Sequence, residues 1–355
     1  LITTIIAFVL ALAPLVFFHE FGHYWVAKRC GVAIESFSIG FGPTLLQWKD
    51  SAGTCWKICA FWLGGYVKMK GDSQEGGFHP GDSGPAAHSR VLDCFQDKTP
   101  FQKILIALAG PVANFIVAAA LFFAVFSFAG KPDMPAVVGK VTRETPAGKY
   151  LRFQDKILSV QGKEVKNFQD VVVVLGETSA SEPLNFVIER DHTPLKVTMP
   201  ILSADATGVW KGKLGLMPDT EGMSWQKMSI SQAFHEATEV LWRSIIAPFQ
   251  LLKMGQWRSM GGPLGIAHQA GTIFAQGLPA FLLFMAGLSV GLGAINLFPL
   301  PIFDGGNVVI SLIEWVRGKA LSDKVQEWIA RISLGLLALA FISLSWNDLS
   351  KIMKW

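Results

Sequence analysis

The first eighteen residues, Leu1–Phe18, carry no charge, and the next five read His19–Glu20–Phe21–Gly22–His23. This junction constrains the fold more than any other stretch. Eighteen helical residues rise ~27 Å, close to the ~30 Å hydrocarbon core of a bilayer. Two histidines four apart lie on one helix face. That spacing lets both imidazoles reach one zinc ion, with the glutamate beside them placed to act as a base on water. Ionisable groups at membrane depth are costly and mark function. The plain alternative is a pair of satisfied core histidines at a helix end, and Asp304, discussed below, weighs against it. A signal peptide is a second reading of the apolar start, but HEFGH stands where small cleavage-site residues belong. Because the chain opens at Leu1 rather than methionine, a few preceding residues are expected.

Composition agrees with a membrane protein. Of the 355 residues, 51% are hydrophobic and 16% charged, and the mean hydropathy is +0.38. Soluble domains carry ~25% charged residues. A net charge of +4 is too small for this length to suggest a nucleic-acid partner. The basic clusters read instead as membrane flanks: Lys28 and Arg29 mark a cytoplasmic exit from the first span.

Beyond that exit, Glu35–Gly42 alternates polar and apolar residues into a Gly40–Phe41–Gly42–Pro43 turn. Leu45–Lys49 and Thr54–Ala60 read as two short strands joined by a turn at Asp50–Gly53. The edge of such a hairpin either receives an extended peptide by strand addition or serves as a structural re-entrant element, and both readings stand. Trp48, Trp56 and Trp62 suit a membrane interface. Cys30, Cys55, Cys59 and Cys94 all precede the second span, and on a cytoplasmic side they are expected to be reduced thiols. Cys55 and Cys59, four apart in a strand, make a poor ligand pair. Gly71–Ser89 reads as a loop, and its His79 and His88 lack a partner at ligand spacing. The second span, Ile104–Gly130, is interrupted by Gly110–Pro111–Val112–Ala113–Asn114. Asn114, an amide at membrane depth, either packs helices or touches the active site or substrate.

Pro135–Leu202 changes character. Val137–Val141, Lys156–Val160, Leu184–Glu189 and Leu195–Met199 read as strands, Phe168–Leu175 as a short helix, and Gln161–Lys163 and Arg190–His192 as turns. The module resembles a PDZ domain, chiefly at Thr145–Gly148 and Asp155–Val160, with Gln154 where the usual motif has glycine. Because it follows the second span, it is expected on the far side of the membrane. Met228–Gln256 is amphipathic and reads as a surface or packing helix, followed by a break at Gly261–Gly265. The third span, Ala280–Leu300, leads into Asn296–Leu297–Phe298–Pro299–Leu300–Pro301–Ile302–Phe303–Asp304–Gly305–Gly306. Two prolines and a glycine pair open the backbone there and present Asp304. A catalytic zinc commonly takes three protein ligands and one water, and Asp304 is the best third ligand. Spans one and three cross in the same direction, so their ends meet on one side. Ile332–Trp346 is a fourth span, with Arg317, Lys319 and Lys324 before it.

These three motifs in this order resemble the site-2 protease family of intramembrane zinc proteases, and the inserted module resembles its PDZ-bearing bacterial branch. The resemblance covers nearly the whole chain. It implies an α-helical membrane protein with four transmembrane helices, a membrane-associated β-hairpin (Glu35–Ala60) and an inserted α+β PDZ-like domain. The divisions are residues 1–130 for the first two spans and hairpin, 135–202 for the PDZ-like domain, 203–279 for an amphipathic connection and 280–355 for the last two spans. Zinc falls to His19, His23 and Asp304, and activation of water to Glu20. Substrate contacts fall to Asn114, Asn296, Pro299 and Pro301, with Gly40 and Gly42 of the hairpin segment counted beside them. The implied partners are single-pass membrane proteins, such as an anti-sigma factor or signal-peptide remnants, in a bacterial inner membrane with the PDZ-like domain periplasmic. Two departures stand out. The best-known members carry two PDZ modules where this chain has room for one, and Asn307 follows Asp-Gly-Gly where histidine is usual. The alternatives are an inactive PDZ-bearing receptor, which would have lost part of the ligand set, and a membrane-tethered protease of soluble proteins. The latter would carry HEFGH in a water-exposed domain.

Overall fold

The computed structural model describes residues 2–71, 93–141, 146–178, 183–199, 214, 216–219, 222–253, 262–319 and 321–353. The loop expected at Gly71–Ser89, with His79 and His88, lies outside the described residues except for Gly71. In chain order the elements begin with α1 (Ile2–Arg29), β1 (Ile34–Lys49), β2 (Cys55–Met69) and α2 (Pro100–Phe128). There follow β3 (Lys131–Asp133), β4 (Val138–Val141), α3 (Pro146–Tyr150), β5 (Lys156–Val160), β6 (Lys163–Glu164) and α4 (Phe168–Glu177). Then come β7 (Leu184–Arg190), β8 (Thr193–Met199), β9 (Leu216–Pro218) and β10 (Ser224–Gln226). The chain closes with α5 (Ile230–Lys253), α6 (Pro263–Phe274), α7 (Leu278–Asn296), α8 (Asp304–Arg317) and α9 (Asp323–Met353). They divide into two compact units, Leu1–Val125 with Ser231–Trp355, and Phe126–Ile230.

In the first unit, α1, α2 and α7 are long and apolar enough to cross a membrane, and α9 contains a shorter apolar stretch, Arg331–Trp346. Lys28 and Arg29 in the last turn of α1 complement the helix dipole. Gly31, at φ +73°, then lets Val32 N–H reach the Ala27 carbonyl and its own N–H reach Lys28, so the helix ends in a Schellman motif. The second span begins earlier than expected, because Thr99 and Gln102 form a reciprocal capping box around Pro100. It also runs without a break through Gly110–Asn114, which corrects the expected interruption. A membrane helix tolerates Pro111 because neighbouring elements absorb the freed carbonyl. Two further helices went unread: α6 covers most of the expected glycine break, and α8 starts at Asp304 itself. The buried Asp348 carboxylate of α9 caps α6, accepting from Gly262 N at 3.0 Å and Gly265 N at 2.8 Å.

The hairpin is longer than expected. β1 continues through Gly40–Pro43, and β2 continues past Ala60 to Met69. Gly40 and Gly42 adopt φ of +88° and +85° against Phe61, so the segment read as a turn is a bend within one strand. Pairing runs from Ile34↔Met69 to Lys49↔Cys55, and residues 36–39 also stand beside 55–58. The tip is held by Asp50, which accepts N–H bonds from Ala52 and Thr54 and the Trp56 indole N–H. Led by the Trp56 bond, these hold the Asp50 carboxyl below the usual carboxylate range.

In the second unit, β6-β5-β7-β8 form an antiparallel sheet and β4 pairs with β9. Val138, Ile157, Val160, Val171, Phe186 and Ile188 fill the core between them and α4. Asn167 and Asp170 cap α4 reciprocally. Asp191 and His192, both at positive φ, make the two-residue turn between β7 and β8. Gln154, where the sequence departs from the usual glycine, adopts φ +68° and donates to Asp219 at 3.0 Å.

Candidate metal centre

His19 and His23 sit on successive turns of α1 and are buried. Helix α2 supplies the wall behind them. Ile106, Gly110 and Asn114 recur every four residues and so share one face. His23 Nδ1 lies 2.8 Å from the Ile106 carbonyl. A carbonyl only accepts, so Nδ1 carries the proton and the Nε2 lone pair is left for a metal. Asn114 Nδ2 stands 3.1 Å from His19 Nδ1. Between them Gly110 leaves the space that both rings occupy: a Cβ there would collide with His23 Nε2 and lie 2.7 Å from His19 Cε1. Gly22 of α1 likewise admits the Ala109 backbone. The small residues read as a break in span two therefore let two helices close on the site.

The carboxylate arrives from α8. After Asn296 the chain folds back through Leu297–Phe303, and side chains at Gly305 and Gly306 would run into the Leu297 and Leu300 carbonyls. The glycine pair thus permits the close turn that presents Asp304. Asp304 Oδ2 lies 3.2 Å from His19 Nε2, Oδ1 lies 3.3 Å from His23 Nε2, and the two Nε2 atoms are 3.3 Å apart. A tetrahedral ion held at ~2.0–2.1 Å separates its ligand atoms by roughly 3.3 Å. Asp304 Oδ2 is buried without a hydrogen-bond donor among the described residues. Converging acceptors at this spacing, two imidazoles and one carboxylate, fit zinc. Among the described residues this is the one such grouping; Cys55 and Cys59 are free thiols.

Glu20 follows His19 on α1, and β2 passes beside its stem: a Cβ on Gly65 would lie 2.9 Å from Glu20 Cγ and 2.7 Å from the Ser38 carbonyl oxygen. Asn296 Nδ2 approaches His19 Nε2 at 3.4 Å. Pro299 is exposed and Pro301 half-buried in the connection to Asp304, while Gly40 and Gly42 lie in the bend of β1. None of these four belongs to the ligand cluster. Sequence reasoning missed the Ile106 carbonyl, the space at Gly110 and Gly65, and a largely buried ion pair, Lys103 Nζ to Glu314 Oε2 at 3.4 Å. That pair ties α2 to the helix carrying Asp304. Its signal in the sequence is faint: one lysine near the start of an apolar span.

Two histidines and a carboxylate converging at the end of an apolar helix, beside a glutamate, define a membrane metallohydrolase. The profile of Peptidase family M50 matches residues 7–340. The chain is 32% identical over 365 residues to the "Putative zinc metalloprotease Atu1380" of Agrobacterium fabrum, covering 98% of this chain and 96% of the relative. It is 31% identical to the "Metalloprotease MmpA" of Caulobacter vibrioides, covering 98% and 95%. With the "Regulator of sigma-E protease RseP" of Salmonella typhimurium it shares 28% identity, covering 98% of each. A solved PDZ domain of the SdrC-like protein from Listeria monocytogenes matches 24% of this chain and 87% of its own, with 15% identity and a TM-score of 0.20. The chain belongs to Peptidase family M50 and is a zinc metallopeptidase of the membrane.

Proposed function

We propose that the protein hydrolyses peptide bonds inside the transmembrane segments of single-pass membrane proteins, with His19, His23 and Asp304 holding zinc and Glu20 as the general base. The observation that carries this reading is the ligand cluster at the end of apolar α1, with β2 running past Glu20 at Gly65. Zinc, when bound, supplies Lewis-acid activation of a water and of the scissile carbonyl. Glu20 would take a proton from the attacking water and return it to the leaving amine. Ile106 holds His23 in the tautomer that leaves Nε2 unprotonated. A transmembrane helix satisfies its own backbone bonds, so the substrate must unwind locally before its carbonyl is reachable. Strand addition to the hairpin offsets part of that cost. Asn296, Pro299 and Pro301, with Gly40 and Gly42, contact the unwound segment.

In this reading the apolar stretch of α9 is a fourth span. The protein lies in a bacterial inner membrane, with His19, the hairpin and Asp304 toward the cytoplasm and the PDZ-like domain, residues 135–202, on the opposite side. The flanking charges at Lys28, Arg29 and Arg317 support this orientation. An inactive receptor would lack part of the ligand set or the base, and nothing favours that reading.

Two substitutions test the assignment. Glu20→Gln removes basicity at constant shape, so zinc stays bound and cleavage of a transmembrane peptide falls by ~100- to 10,000-fold. Asp304→Asn replaces a charged ligand by a neutral amide, so zinc content and activity both fall. Near-normal cleavage by the first variant, or full zinc content in the second, would overturn the proposed roles.

A further inference from the structure

Asn114 is fully buried at the centre of α2, and Ser289 of α7 donates to its backbone carbonyl at 2.8 Å. One turn along α7, Gly293 admits Phe115 and the Pro111 carbonyl, so α7 packs closely on this part of α2. The side chain is thereby held at His19. With Nδ2 at 3.1 Å from His19 Nδ1, the amide oxygen is left buried without a partner among the described residues. That orientation also makes His19 Nδ1 the acceptor and leaves the ring proton on Nε2. Yet Nε2 is the atom that faces His23 Nε2 and Asp304. A proton there blocks the position the metal must take. The oxygen and nitrogen of an amide occupy nearly the same places, and their assignment follows from the hydrogen-bond network. Turning the amide over gives Oδ1 a donor in His19 Nδ1–H and frees the Nε2 lone pair; it leaves Nδ2 where Oδ1 stood, so the metal-ready Nε2, not the unpartnered atom, favours this orientation.

We propose that Asn114 is a positioning residue for His19, its amide oxygen accepting from Nδ1 and so fixing the metal-competent tautomer. The inference rests on the zinc-peptidase reading and deepens it. It parallels what the Ile106 carbonyl does for His23, eight residues earlier on the same face of α2. It also moves Asn114 out of the set of substrate contacts, because a fully buried side chain behind a ligand offers a substrate no surface.

The test uses the full chain in detergent micelles, with zinc affinity read by competition with a chromophoric chelator. Asn114→Leu keeps the branching and number of side-chain heavy atoms and removes the acceptor. Asn114→Asp keeps an acceptor at the same place and removes the donor. Loss of partners behind a metal-bound histidine costs ~10- to 100-fold in affinity. The expected result is that loss for Leu and affinity near the unaltered chain for Asp. Equal loss in both, or no loss in Leu, would overturn the proposal. Should Leu fail to fold, proton–nitrogen NMR of the ring-labelled, zinc-loaded unaltered chain decides it: a His19 Nδ1–H with a through-hydrogen-bond correlation or close contact to the Asn114 carboxamide carbonyl supports the inference, and a Nδ1–H hydrogen-bonded elsewhere refutes it. Failure of the peptidase reading is separable, because a chain that binds zinc in this pattern but leaves transmembrane peptides uncut indicts the function and not the tautomer.

Discussion

Substituting Gly110→Ala adds one methyl group where the two imidazoles meet α2. That methyl would collide with His23 Nε2 and lie 2.7 Å from both His19 Cε1 and His23 Cε1. Carbon atoms prefer separations of ~3.5–4.0 Å, so rings or helix must retreat by roughly 1 Å. Ligand distances at a metal tolerate about 0.2 Å, so the retreat cannot be absorbed inside the site. Overpacking costs ~1–3 kcal/mol, roughly a 5- to 150-fold change in an equilibrium constant. Alanine's better helix propensity, ~1 kcal/mol, offsets part of this in folding stability but none of it in ligand geometry. The expected outcome is a folded protein whose zinc affinity falls at least ~10-fold and whose cleavage falls with it. Gly287→Ala and Gly291→Ala are controls, since nothing lies within 4 Å of a Cβ at either position. Chelator competition and a transmembrane-peptide cleavage assay read both effects. Unchanged zinc affinity in Gly110→Ala would refute the claim that the glycine exists to seat the imidazoles.

Gly65→Ala should separate chemistry from metal binding: its methyl meets Glu20 Cγ and the Ser38 carbonyl oxygen but no proposed ligand, so kcat falls by up to ~100-fold with zinc affinity intact. Equal loss of both in chelator and cleavage assays would count against it. Impermeant thiol labelling of intact cells should reach a cysteine placed at Lys163 and miss Cys55; the reverse pattern would invert the proposed topology. At Gln154 both Gly and Ala lose the bond to Asp219, but only Gly escapes the left-handed backbone cost. The Gly variant should therefore protect β5 in hydrogen exchange by ~1–2 kcal/mol more than the Ala variant, and equal protection would show that the backbone there is not strained.

What the sequence made legible follows from how each feature is encoded. His19, Glu20, His23 and Asp304 are chemical types at fixed spacings, so they stand out from an apolar background without any knowledge of packing. The strands of the second unit were readable because Leu184–Arg190 alternates, because Ile157, Leu158 and Val160 make a short apolar run, and because Asp191–His192 sits between two such runs. Helix α6 was missed because Gly262 and Gly265 look like a break; their N–H groups are capped by Asp348, 83 residues or more away, which no local window contains. The start of α2 was missed although Thr99–Pro100–Phe101–Gln102 is a local capping signature. The hairpin was cut short for a related reason. Gly40, Gly42, Gly64 and Gly65 resemble turn residues, yet each gives room to a neighbour, Phe61, Phe41 or Glu20.

On one side of the ligand cluster every contact is tight: Gly110 and Gly22 close α2 against α1, Gly305 and Gly306 bring Asp304 in, and Lys103 with Glu314 ties α2 to α8. Such a wall holds the imidazoles still, and preorganised ligands keep a metal without reorganisation at each turnover. On another side, Glu20 stands against Gly65 of β2. Under the proposed function, a substrate carbonyl that reaches the metal from there meets the proposed base and a strand edge together. If β2 holds the unwound segment as proposed, the same strand sets the distance between its carbonyl and Glu20, so a defect at Gly65 should appear in kcat before it appears in KM.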